Sequence, residues 1–192
     1  IWRSAPETDA FVDTMTGAPA QPSSSARIAW DADNLYFAFE VEDDWLHCDL
    51  TGHDPHIWEK DTVEIMVDPD SDGRNYFEMQ LSPTDQIFDT RYVSRRVPPP
   101  FGQVQWDSHL RGACSVEGTV NDDEADGGYV AEMAIPWEAF TGHDPPAAGD
   151  EWRVALYVLD QRQDGWRGVG WSPPLVGDFH VPDRFGRITF GD

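Results

Sequence analysis

The fold is decided by His56-Ile57-Trp58-Glu59-Lys60-Asp61-Thr62-Val63-Glu64-Ile65-Met66-Val67-Asp68, then Pro69-Asp70-Ser71-Asp72-Gly73-Arg74, then Asn75-Tyr76-Phe77-Glu78-Met79-Gln80-Leu81-Ser82. Val63, Ile65 and Val67 alternate with Thr62, Glu64 and Met66, and Phe77, Met79 and Leu81 alternate with Tyr76, Glu78 and Gln80. That is the period of half-buried strands, and the Pro/Asp/Gly cluster between them has turn chemistry, so the stretch predicts a hairpin. A slip of one residue would turn the whole apolar set toward solvent. Parity therefore places Val63, Ile65 and Val67 over Leu81, Met79 and Phe77, with Glu64 across from Gln80 and Met66 across from Glu78. The outward face carries carboxylates, an amide and a thioether, with Tyr76 near the turn and Trp58 where the first strand begins. A ring beside several hydrogen-bonding groups suits a sugar, which needs a flat apolar surface for its C–H face and polar partners for its hydroxyls.

Other segments repeat the pattern. Ala26–Trp30 and Leu35–Val41 read as a hairpin about Asp31-Ala32-Asp33-Asn34, after an edge segment and a Gly/Pro/Ser loop within residues 1–24. Glu42–His56 is a polar loop, Gln86–Tyr92 a further strand, and Arg95-Arg96-Val97-Pro98-Pro99-Pro100 a break. Ala113–Val120 and Tyr129–Ile135 pair around an acidic turn. Pro136-Trp137-Glu138-Ala139-Phe140 predicts a short helix with proline at its first position. Trp152–Leu159 is apolar on both faces, as in a central strand. The chain then closes with a loop, Gln161–Asp183, and a last strand, Gly186–Phe190. Many short strands and almost no helix predict one all-β domain over residues 1–192, an antiparallel β-sandwich of jelly-roll or immunoglobulin-like form with one short helix near 136–140.

A formal net charge of −23 over 192 residues excludes nucleic acid and anionic membranes as natural partners. It fits a secreted protein, a salt-adapted one, a cation-collecting one, or a merely well-solvated surface. No apolar run approaches the roughly 20 residues that span a bilayer, and the expected state is a monomer. The chain begins at Ile1, so an upstream segment such as a signal peptide is expected. Cys48 and Cys114 permit one disulfide and lack metal-cluster spacing.

Asp68-Pro69-Asp70-Ser71-Asp72-Gly73 matches the first half of a calcium loop, in which Asp68, Asp70 and Asp72 would be ligands. Position 79 is Met where a bidentate Glu would complete it, so a plain acidic turn is the competing reading. His47, His53 and His56 share a loop but not a tetrahedral zinc spacing. No nucleophile elbow or phosphate-cradling loop is present. Glu64 and Glu78 on one face could serve as a glycosidase pair.

Several stretches together resemble the carbohydrate-binding module family 9-like domains, placed with the DOMON superfamily of β-sandwiches. They are Ile28-Ala29-Trp30-Asp31 with Asn34-Leu35-Tyr36, Ile57 to Ile65, Gly128 to Glu132 with Ile135-Pro136-Trp137, Trp171-Ser172, and His180-Val181-Pro182-Asp183-Arg184-Phe185-Gly186. The resemblance implies a non-catalytic, extracellular, periplasmic or cell-surface domain that binds an oligo- or polysaccharide between two aromatic rings. It makes Trp58 the first ring, Phe179 the second, and Glu64, Glu78 and Gln80 the hydroxyl partners. Trp171 and His180, in the matching C-terminal stretches, complete the candidate set, with packing as the alternative role for Trp171. Glu78 stands where a sugar-binding member has arginine, and Phe179 where it has tryptophan. Calcium-bound members also occur. Other DOMON-like sandwiches ligate b-type haem through Met with His or Lys, which makes Met66 with His53 or His56 an alternative, and a ligand-free envelope interaction module is a third.

Overall fold

The computed structural model describes residues 1–191. Eleven strands form two antiparallel sheets. The larger is ordered β1 (Val12–Asp13), β10 (Gly165–Gly170), β9 (Glu151–Arg162), β4 (Thr62–Asp68), β5 (Tyr76–Leu81), β6 (Ile87–Tyr92), with β11 (Gly186–Thr189) also on β9. The smaller is ordered β2 (Ser23–Trp30), β3 (Asn34–Glu42), β8 (Gly128–Pro136), β7 (Arg111–Glu117).

The β4–β5 register is the one that parity predicts, with Val63, Ile65 and Val67 opposite Leu81, Met79 and Phe77, Glu64 opposite Gln80 and Met66 opposite Glu78. The inward set meets Leu35, Phe37 and Phe39 of β3 and Met133 and Ile135 of β8, all buried in one core between the sheets. Trp152 and Phe190 close one end of that core edge-to-face at 5.1 Å, and Phe140 meets Trp152 at the same separation. β9 is apolar on both faces because it is internal, flanked by β4 on one side and by β10 and β11 on the other.

Three expectations need correction. The outward faces of β4 and β5 are not solvated: every residue of both strands is buried. Met66, Tyr76, Tyr92, Tyr157, Leu159 and Phe185 build a second apolar cluster on that side, with Trp58 and Phe179 packed against it. The segment 136–140 forms a single 3-10 turn, Trp137–Ala139, and Pro136 precedes it in extended backbone rather than opening it. The loop expected over Gln161–Asp183 contains strand β10, which returns along β9 with Gly165 opposite Arg162. Its sequence, Gly165-Trp166-Arg167-Gly168-Val169-Gly170, has too few apolar side chains to register as a strand, although Asp164-Gly165 is a hairpin signal. Cys48 and Cys114 are free thiols.

Candidate functional site

The outward face of the larger sheet carries a cleft of about 460 Å³, bounded by the turn before β4 and by the segment before β11. Trp58 sits in the 3-10 turn Ile57–Glu59, where the buried Ile57 anchors the turn and leaves the indole half-buried. Its ring stacks on His56 at 4.3 Å, meets Phe88 edge-on at 4.7 Å and leans on Phe101 at 5.1 Å, so this wall is held rigid. Phe179 also lines the cleft, stacked on Tyr157 at 4.3 Å and 5.7 Å from Trp166.

Glu64, Glu78 and Gln80 lie on the floor because the pleat turns alternate residues of β4 and β5 away from the core. The Gln80 amide nitrogen donates to Glu64 Oε2 and to Glu78 Oε1, each at 2.7 Å. Glu64 Oε1 and Gln80 Oε1 have no partner and Glu78 Oε2 has only a long approach from His180 Nε2 at 3.5 Å, though the three residues are only 3%, 4% and 0% exposed. Burying a polar atom without a partner costs about 1–3 kcal/mol, so these acceptors mark a place where a ligand's donors belong.

Electrostatics agrees. Burial pushes the Glu64 carboxyl well up, and the Glu78 charge pushes it further. Burial likewise raises Glu78, against the opposing Gln80 and Tyr92 hydrogen bonds and the Arg96 charge. His180 faces Glu78, its Nε2 3.5 Å from Glu78 Oε2, while its Nδ1 meets the Tyr76 hydroxyl at 2.9 Å. Burial and then Arg96 push its imidazole down to about 3, so it stays neutral. Arg96 is committed to Asp178, whose carboxyl burial would raise but which Arg96 and Arg95 hold at about 2.

A pH dependence follows. The folded protein holds protons on Glu64 and Glu78 more tightly than the unfolded chain does, so their contribution is full below about pH 4.5 and is lost as pH rises toward 7. The facing groups Arg96, His180, Tyr92 and Asp178 leave that sign unchanged, because His180 is uncharged and Arg96 is paired. Ligand-free E64Q/E78Q is expected to lose less stability than wild type between pH 5 and pH 7.5 in urea melts. Equal losses would contradict this assignment.

Six of the seven sequence-predicted ligand residues line this one cleft: Trp58, Glu64, Glu78, Gln80, Phe179 and His180. Trp171 does not; it packs against the sandwich core, close to Gly186. Met66, His53 and His56 are not brought together as a haem pair at the cleft, since Met66 is fully buried under the outer cluster and His56 backs Trp58. Sequence reasoning missed Arg96, Phe101 and Trp166, which also line the site. The Asp-Gly turn before β10 could have found Trp166; Arg96 and Phe101 flank a proline run that reads only as a break.

Among the described residues, two carboxylate clusters could take a cation. Asp68, Asp70 and Asp72 do converge, but Asp70 and Asp72 are exposed and cap the turn's own N–H groups. Asp43, Asp61 and Asp160 also converge, and all three are buried. Asp160 Oδ1 has no partner; Arg162 lies 2.7 Å from Asp43 Oδ1, and Arg167 stands opposite Asp160 across the β9–β10 pair. Burial drives Asp61 up to about 8, and drives Asp160 to about 7 against the Arg162 and Arg167 charges. This second set fits a hard divalent cation, which takes several oxygen ligands.

A sequence model of the carbohydrate family 9 binding domain-like family matches residues 1–192. The chain is 25% identical over 190 residues to endo-1,4-beta-xylanase A of Thermotoga neapolitana, covering 98% of this chain and 16% of that protein. It is 26% identical over 192 residues to exoglucanase XynX of Acetivibrio thermocellus, covering 98% of this chain and 15% of that one. The chain thus spans about a sixth of the length of these curated relatives. A crystal structure from Bacteroides uniformis superposes with a TM-score of 0.79 at 20% identity, covering 98% of this chain and 88% of that one. A carbohydrate binding module family 9 from Caldicellulosiruptor kristjanssonii in complex with cellotriose superposes at 0.67 and 17%, covering 99% and 84%. The likeness to solved structures concerns the fold, while the family match runs the whole length of the sequence. The chain belongs to the carbohydrate family 9 binding domain-like family.

Proposed function

We propose that this domain binds a saccharide in the cleft between Trp58 and Phe179, with Glu64, Glu78 and Gln80 as hydroxyl partners, and that it does so without cutting it. The observation that carries the reading is the pairing of half-buried rings with a floor of unpartnered buried acceptors. A sugar ring presents apolar C–H faces to the rings and hydroxyl donors to the floor, so it satisfies both at once. The family and the cellotriose complex of a structural neighbour support the same class of ligand. A monomeric, extracellular, periplasmic or cell-surface domain acting beside a catalytic partner is the setting that this reading implies, since the similar xylanases are much longer proteins.

Affinity electrophoresis against soluble polysaccharides, with a glycan array, tests it. Wild type is expected to be retained, and W58A to lose about 30-fold or more in affinity, the scale of a buried aromatic anchor. No retention of wild type, or retention unchanged in W58A, would overturn the reading.

We further propose that Asp43, Asp61 and Asp160, rather than the Asp68–Asp70–Asp72 turn, hold calcium. They follow β3, precede β4 and lie on β9 respectively, so a cation there ties the smaller sheet to the larger. Its role is structural, offsetting the mutual repulsion of buried carboxylates.

A further inference from the structure

We propose that the cleft selects amino sugars, with a free ammonium group of the ligand seated between Glu64 and Glu78; this rests on the saccharide-binding reading and narrows its substrate class. With its carboxyls ionised, the floor is rich in acceptors and poor in donors. Gln80 spends both amide hydrogens on the two carboxyls, which leaves Glu64 Oε1 and Gln80 Oε1 without a protein partner and Glu78 Oε2 with only the long approach of His180 Nε2. These atoms belong to side chains that are at most 4% exposed, so water serves them poorly.

The charge balance is also one-sided. Glu59, Glu64, Glu78 and Asp178 line the cleft, and Arg96 is its only lining cation among the described residues. Arg96 is spent on Asp178, with Nε and a terminal nitrogen at 2.9 and 2.7 Å from Asp178 Oδ1. His180 is turned to Glu78 at 3.5 Å but is neutral, its Nδ1 engaged by the Tyr76 hydroxyl.

A neutral sugar hydroxyl can donate to one of these oxygens but brings no charge, so two adjacent buried carboxyls cannot both ionise around it. An alkyl ammonium brings three N–H donors and a full positive charge. It lets both carboxylates ionise and makes the bonds charge-assisted, roughly twice the strength of neutral ones. The aromatic lining adds cation–π attraction near Trp58 and Phe179. The net charge of −23 steers cationic saccharides toward the molecule but does not choose the cleft.

Isothermal titration at neutral pH and physiological salt tests this with three probes of equal length: a fully deacetylated glucosamine trimer, its N-acetylated form and cellotriose. The deacetylated trimer is expected to bind about tenfold or more tighter than either neutral trimer. In E78Q that preference should shrink to about threefold or less, because one charge is lost while the shape is kept. Should E78Q fail to fold, the wild-type preference at raised salt gives the second readout: it must persist at the buried site while surface attraction is screened. Equal or tighter binding of a neutral trimer would overturn the amino-sugar assignment and leave saccharide binding intact. Binding of the deacetylated trimer that survives W58A unchanged is surface adhesion and would overturn it as well. Absence of binding by all three trimers would overturn both.

Discussion

Adding calcium to chelator-treated protein is expected to raise the melting temperature by about 5–10 °C, the largest single effect of solution conditions on this fold. The magnitude comes from linkage: a ligand at about a hundred times its Kd stabilises the folded state by about 2.7 kcal/mol, and each kcal/mol moves Tm by about 2–4 °C in a domain of this size. Asp43, Asp61 and Asp160 are all buried and crowd three carboxylates together, with Arg162 on Asp43 and Arg167 opposite Asp160. Asp61 already accepts from the backbone N–H groups of His47 and Gln161, so its position is fixed before any cation arrives. Asp160 Oδ1 waits without a partner. Differential scanning calorimetry with and without chelator measures the shift. D160N should remove most of it, whereas D70N should leave it in place, since Asp70 is exposed. A shift that vanishes in D70N and survives in D160N would move the cation to the hairpin turn.

The second large effect separates residues that are close in sequence but opposite in orientation. Phe77→Ala is expected to cost about 3–5 kcal/mol of stability, the range for removing a buried ring from a close-packed core. Phe77 is 1% exposed and meets Phe140 edge-on at 5.5 Å and Trp106 at 5.2 Å, so the cavity it leaves is lined on several sides. Protein that remains folded should keep its saccharide affinity, because Phe77 faces the core while the cleft lies on the other face of the sheet. Gln80→Ala should behave the other way. It removes the amide that holds both Glu64 and Glu78 in place and so weakens binding sharply, with a smaller effect on the core. Urea melts paired with binding titrations would read both numbers from the same samples. If Phe77→Ala lost affinity while Gln80→Ala kept it, the facing of β5 would be wrong.

That contrast also explains how much the sequence could disclose. Period-two alternation is a local property, and because one face of β4–β5 had to be apolar, parity alone was enough for the register. What alternation cannot report is what lies over the other face. Phe185, Trp58 and Phe179, from other segments of the chain, pack with Met66 and Tyr76 over that face, so strands that read as half-buried are buried throughout. The same limit hid Arg96, which reaches the cleft from the loop after β6 and is fixed by Asp178. It also hid the Asp43–Asp61–Asp160 group, whose members come from three separate segments and carry no spacing motif. The hairpin turn had the recognisable spacing, yet its acids are mostly solvated. The resemblance to a known family reached Phe179 where periodicity could not, because a ring in a loop far along the chain shares no local pattern with the β4–β5 hairpin. It also offered Trp171, which the fold turns toward the core.

A crystal of the domain soaked with an oligosaccharide that it retains tests the central claim most directly. The account predicts density for a pyranose ring lying between Trp58 and Phe179, with its polar substituents within hydrogen-bond distance of Glu64 Oε1, Glu78 Oε2 and Gln80 Oε1. A saccharide bound elsewhere on the molecule, with those three atoms still unpartnered, would contradict it.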